Sequence, residues 1–161
     1  MKFLVDRNLG SLAKWLRLLG FDVMYPEPME DRALLLLSRK EGRILLTKDR
    51  KLAEAERSIV YYVQGHTLEE QVGEVLHTFN LENHAEPLSR CSACNTPIRP
   101  VDKNSIQGKV PPRVYHTQKE FWLCPGCGKI YWQGTHWERM KEKILLWQNS
   151  GTIQKGGDGE K

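Results

Sequence analysis

Four cysteines in two matched pairs limit what this chain can fold into more than any other feature. Cys91-Ser-Ala-Cys94 and Cys124-Pro-Gly-Cys127 are C-x-x-C knuckles separated by residues 95–123. Two intervening residues let both thiolates of a knuckle face one ion, and two knuckles complete a tetrahedron around it. Gly126 and Gly128 let the backbone turn tightly around the sulfurs. In a reducing compartment such pairs are metal ligands rather than disulfides. Zn²⁺ is the expected ion, held by Cys91, Cys94, Cys124 and Cys127. With four thiolates no coordination position is left open, so its role is structural. The spacer is predicted to form the β-hairpin or three-stranded unit of a zinc ribbon.

Upstream of the knuckles the pattern changes to short apolar runs alternating with helical periodicity. Phe3-Leu4-Val5, Phe21 to Tyr25, Ile44-Leu45-Leu46 and Ile59 to Val63 read as four strands. Ser11 is placed to cap a helix that Gly20 ends. A second helix is predicted from about Arg32 to Lys40, stopped by Gly42, and a third over 50–57. Thr67 and Glu70 form a capping box for a fourth, through Val72, Val75, Leu76 and Phe79. Strands alternating with helices imply a mainly parallel sheet covered on both faces. The expected fold class is therefore α/β, with a domain at 1–85 and a polar linker at 82–90. A zinc ribbon with a C-terminal helix is expected at 90–148, and a Gly- and Lys-rich disordered tail at 149–161. About 85 residues bury a thin core, which the second part can help to cover.

Charge divides along the same boundary. Residues 1–88 carry 12 Lys+Arg against 14 Asp+Glu, and residues 89–161 carry 12 against 6. A basic half suits a polyanionic partner or is simply a solvated surface. No apolar run approaches the roughly 20 residues that a bilayer span needs, so no membrane association is expected. Phe3-Leu4-Val5 is too short for the apolar core of a signal peptide. A cytoplasmic protein is expected.

Three acids in the first half stand at related places. Asp6 follows the first strand, Asp49 follows the third, and Asp31 opens the second helix. Residues just past the carboxyl ends of parallel strands converge on one edge, where ligands bind. Each acid could equally be a helix cap or turn residue. If they cluster, their repulsion calls for a cation. Mg²⁺ or Mn²⁺ suits such a site, because these ions take oxygen ligands and bridge to phosphate. One or two ions are possible.

These residues, read together, resemble a known family. Phe3-Leu4-Val5-Asp6, the run from Leu9-Gly10 through Leu12-Ala13, Trp15-Leu16-Arg17 and Leu19-Gly20 to Asp22, then Asp31 and Arg43-Ile44-Leu45-Leu46-Thr47-Lys48-Asp49 are similar to the Mut-seven C-terminal RNase domains. The ribbon shares the resemblance, in Cys91-x-x-Cys94-Asn95 and in Cys124-x-x-Cys127-Gly128-Lys129-Ile130-Tyr131-Trp132-x-Gly134-Thr135-His136. The resemblance covers about residues 2–147. It implies a PIN-like fold followed by a zinc ribbon, and a divalent-metal-dependent endoribonuclease whose acidic residues are Asp6, Asp31 and Asp49. Many PIN nucleases have a fourth acid; Glu30 and Asp22 are the candidates here.

Arg7, Asn8, Lys48 and Arg50 flank the acids and either hold RNA phosphates or are solvated charges. Thr47 either orients Asp49 or is only a strand residue. Arg17 either reaches phosphate or forms an ion pair beneath the linker. Trp122, Tyr131, Trp132, His136 and Trp137, beside Lys129 and Arg139, either stack on RNA bases or form the ribbon core, the reading favoured for Trp132 and Trp137. A non-catalytic zinc-ribbon RNA-binding adaptor is the alternative function. A phosphoacceptor receiver domain is disfavoured, since Arg7 stands where a second acid is required and no lysine follows the fourth strand.

Overall fold

The structure, a computed structural model, describes residues 1–158. The first half is a four-stranded parallel sheet in the order β2-β1-β3-β4. Its strands are β1 (Lys2–Val5), β2 (Asp22–Met24), β3 (Ile44–Thr47) and β4 (Val60–Tyr62). Between them run α1 (Gly10–Leu18), α2 (Asp31–Glu41) and α3 (Arg50–Ala55), and α4 (Leu68–Thr78) follows β4.

Side chains alternate across the sheet as pleating requires. Phe3, Val5 and Leu46 enter the core formed with α1 and α4. Leu4, Leu45 and Val60 enter the opposite core with Leu34 of α2 and Leu52 of α3. Both faces are covered, as expected for a parallel sheet.

Local signals held at several ends. The Thr67–Glu70 capping box is complete. Gly42 caps α2 with φ +65°, and Gly20 has φ +96°, the left-handed region where glycine is favoured. At the first helix the expectation needs correction. Ser11 is not its cap, because the helix already begins at Gly10, and the side chain that caps here is Asp6, on a preceding 3-10 turn (Arg7–Leu9).

The second half contains a three-stranded antiparallel sheet, β5 (Arg99–Val101), β6 (Phe121–Leu123) and β7 (Ile130–Tyr131). Its spacer also holds a short helix not expected from sequence, α5 (Pro112–Thr117). Ile106, Val110 and Phe121, with Trp132 against them, make a small separate core. The terminal helix α6 (Thr135–Asp158) runs past the end expected near 148. Residues 159–161, the end of the expected disordered tail, lie outside the described residues.

The two halves share a core. Trp137, Met140 and Ile144 of α6 join the cluster containing Leu12, Leu16 and Val75, although Leu145 is exposed. Lys143 of α6 pairs with Glu69 of α4. The segment expected as a linker is fastened down as well: the backbone N–H groups of Glu86 and Leu88 donate to the carbonyls of Leu19 and Leu18 at 2.8 and 3.1 Å.

Candidate functional site

Two sites stand at opposite ends of the sheet. At the carboxyl end, β1 and β3 are neighbours in register, Val5 opposite Leu46, so Asp6 and Thr47 emerge side by side. The buried Thr47 hydroxyl donates to Asp6 Oδ2 at 2.8 Å and accepts the Asp49 backbone N–H at 3.0 Å. Thr47 therefore orients the Asp6 carboxylate and fixes the backbone of Asp49, rather than the Asp49 carboxylate as the sequence suggested. Asp6 Oδ1 takes the Arg7 N–H at 2.8 Å, and Asp49 Oδ1 caps α3 through the Leu52 N–H at 3.2 Å. Both acids are thus caps, and both still have acceptor capacity, since an ionised carboxylate offers about four lone-pair sites.

Asp31 is the first residue of α2, and it is exposed. The preceding Glu30 occupies the cap position without a side-chain cap bond, so neither acid caps this helix. Among the described residues, the one group of three or more potential ligands with atoms mutually within 4.8 Å is the four cysteines. Asp6, Asp31 and Asp49 do not converge to that degree. The structure links Asp6 with Asp49 through Thr47, and Asp31 stands at the start of α2.

The flanking cations are partly engaged. Lys48 Nζ donates to the Gly65 carbonyl at 2.6 Å and lies 5.9 Å from the Tyr62 ring centre. Arg50 sits over the same ring at 5.1 Å. Arg7 lies over Tyr25 at 4.8 Å, and Asn8 is exposed beside it. Sequence reasoning missed Glu74, which accepts the N–H groups of Gln64 and Gly65 and the Tyr61 hydroxyl, and so holds the loop that receives Lys48. The spacing of α4 gave no signal for it, since Glu74 lies off the face carried by Val72, Val75 and Leu76.

Arg17 requires correction. It is only 7% exposed. Its Nε donates to the Val23 carbonyl at 2.8 Å, and its Nη1 donates to those of Ser92 and Ala93 at 3.1 and 3.3 Å. These are backbone acceptors in the seam between β2 and the first knuckle, so Arg17 is withdrawn from the phosphate contacts. Asp22 is no fourth acid either, because it opens β2 at the amino end of the sheet, opposite Lys2. Its carboxylate takes Arg43 and Asn95 side chains, each at 2.8 Å. Burial pushes the Asp22 carboxyl up, but these hydrogen bonds outweigh it and leave the group below its ordinary range. Asn95 Oδ1 also accepts the Val23 N–H at 3.0 Å, which covers the outer edge of β2.

The thiolate cluster lies against this seam. Cys91 and Cys124 are buried, Cys94 and Cys127 exposed, and none is in a disulfide. The Sγ atoms of Cys91 and Cys127 are 3.7 Å apart, and those of Cys94 and Cys124 are 3.4 Å apart. A zinc–sulfur tetrahedron with bonds of about 2.3 Å has edges of about 3.8 Å, so the spacing fits a metal such as zinc. The acidities agree. Hydrogen bonds at Thr96 draw the Cys94 thiol down to about 6. Despite a lowering bond from the Lys129 backbone, burial and the neighbouring sulfurs push Cys127 up to about 11. Four adjacent thiolates repel one another, and a divalent cation removes the conflict. The Tyr131 hydroxyl lies 3.0 Å from Cys91 Sγ and accepts the Ser92 N–H.

Fold and sites together define an α/β protein with a parallel sheet, an acidic strand edge and an attached thiolate metal cluster. The Mut7-C RNAse domain model matches residues 1–144, and the chain belongs to that family. No curated protein matches it. The family's description, an RNAse domain, points to a nuclease-like role. Among the described residues, no helix is long and apolar enough to cross a membrane.

Proposed function

We propose that the protein is a divalent-metal-dependent endoribonuclease acting at the carboxyl edge of the sheet, with Zn²⁺ in the cysteine cluster as a structural ion. The observation that carries this reading is the Asp6–Thr47–Asp49 linkage at a parallel-sheet edge in a chain of an RNase family. Mg²⁺ is commonly held by one or two carboxylates together with water and substrate phosphates, so Asp6 and Asp49 form a sufficient donor pair. Bound there, Mg²⁺ or Mn²⁺ supplies an activated water and offsets charge on the scissile phosphate. Thr47 keeps the Asp6 carboxylate turned toward the edge, and Arg7, Asn8, Lys48 and Arg50 position phosphates. Asp31, exposed at the start of α2, is the third acid of the proposed site.

Purified zinc-loaded protein with Mn²⁺ should cleave RNA internally, and Asp6→Asn or Asp49→Asn should remove cleavage without loss of fold. Undiminished cleavage by both variants sinks the proposal. That the three acids do not all fall within 4.8 Å of one another favours a second reading, a non-catalytic RNA-binding adaptor, which requires salt-sensitive binding with no metal-dependent turnover.

A further inference from the structure

The two outer edges of the sheet are unlike. Asn95 covers β2, whereas β4 lies at the opposite edge of the sheet. Along β4 and α3 runs a groove of about 600 Å³, lined by Arg50, Glu54, Arg57, Tyr61, Tyr62 and Gln64 among others. Two guanidinium groups face one carboxylate there. The groove is continuous with the acidic edge, because Arg50 directly follows Asp49 and Gln64 lies just past the carboxyl end of β4.

The rings in the groove differ in availability. The Tyr61 hydroxyl is bound to Glu74 and close to Thr78. Tyr62 is half-buried, with the Arg50 guanidinium stacked over its ring. An aromatic ring backed by cations at the end of a basic track matches what unpaired nucleotides need: a stacking surface for the base and positive charge for the backbone. A duplex presents its bases paired and stacked, so it offers no free base face to such a ring.

We propose that this groove holds a single-stranded segment of RNA leaving the acidic edge, with its base stacked near Tyr62 and its phosphates on Arg50 and Arg57. This rests on the RNase reading above but assigns the strand's path to β4 and α3 rather than to the basic ribbon.

The test is fluorescence anisotropy of labelled oligouridine with zinc-loaded full-length protein, in buffer without Mg²⁺ or Mn²⁺, across a salt series. Arg57 is exposed and makes no ion pair among the described residues, so Arg57→Ala should fold normally. It should weaken binding several-fold and reduce the magnitude of the salt slope by about 0.7, the value for one single-strand phosphate contact. Tyr62→Ala should weaken binding at least about fivefold, with the salt slope kept. Arg139→Ala, at an exposed position of α6, should bind as wild type. Wild-type affinity and salt slope in both groove variants overturn the proposal, as does an absence of binding by the unmodified protein or a loss confined to Arg139→Ala. Asp6-dependent cleavage with unaffected groove variants removes the groove and keeps the nuclease. Groove-dependent binding without Mn²⁺-dependent cleavage keeps the groove and removes the nuclease.

Discussion

Replacing Arg17 by methionine separates a seam residue from a substrate contact. Methionine keeps much of the apolar stem and removes the charge and all donors. Three backbone carbonyls, of Val23, Ser92 and Ala93, then lose a charged donor in a place where Arg17 is 7% exposed. A hydrogen bond to a charged group contributes about 1.5–3 kcal/mol, and bonds made by one side chain are not additive. Removing one partner from a buried charged arrangement costs about 3–5 kcal/mol, and water entering the seam brings the expectation to about 3 kcal/mol. For a chain near this size each kcal/mol moves the melting midpoint by about 2–4 °C, so a fall of about 6–12 °C is expected with zinc held constant. RNA affinity measured well below that midpoint should keep its salt slope. An unchanged midpoint with a slope reduced by one phosphate contact would refute the seam assignment and restore Arg17 as a substrate contact.

Thr47→Val removes the hydroxyl that holds Asp6 and leaves the Asp49 N–H unpaired; it should cost about 1–3 kcal/mol in urea unfolding and lower kcat more than it raises KM. Asp22 is held below its ordinary range by Arg43 and Asn95, so its stabilising effect is complete above the unfolded carboxylate value near about 4. That effect is lost as pH falls through the depressed folded value, and Asp22→Asn should flatten the acid limb of an equilibrium unfolding profile. Chelating the cysteine-bound ion should release one zinc per chain, lower the melting midpoint, and speed amide exchange at Val23, whose N–H is held by Asn95 beside Cys94.

The parts of this fold legible in the sequence are those with short-range signatures. The cysteine spacing foretold the cluster, Thr67 and Glu70 the start of α4, and four apolar runs the sheet, because each depends on neighbours a few positions away. Arg17 was ambiguous for a physical reason. Its acceptors are backbone carbonyls, two of them more than 70 residues distant, and any residue type supplies a carbonyl. The fastening of the segment at 82–90 was hidden similarly, since its polar composition says nothing about the N–H groups of Glu86 and Leu88 that bond to the carbonyls of Leu19 and Leu18. Asp6, Asp31 and Asp49 have equivalent places in the pattern, yet strand adjacency joins only the first and third. Adjacency in a parallel sheet is a tertiary property that local spacing does not encode.

The most direct measurement is Mn²⁺ binding to the zinc-loaded protein, followed by electron paramagnetic resonance. A saturable Mn²⁺ signal in the unmodified chain, lost in both Asp6→Asn and Asp49→Asn while the zinc content stays constant, is the expected result. Mn²⁺ that binds equally well to those two variants, or not at all in the presence of RNA, contradicts a catalytic ion at the carboxyl edge of the sheet.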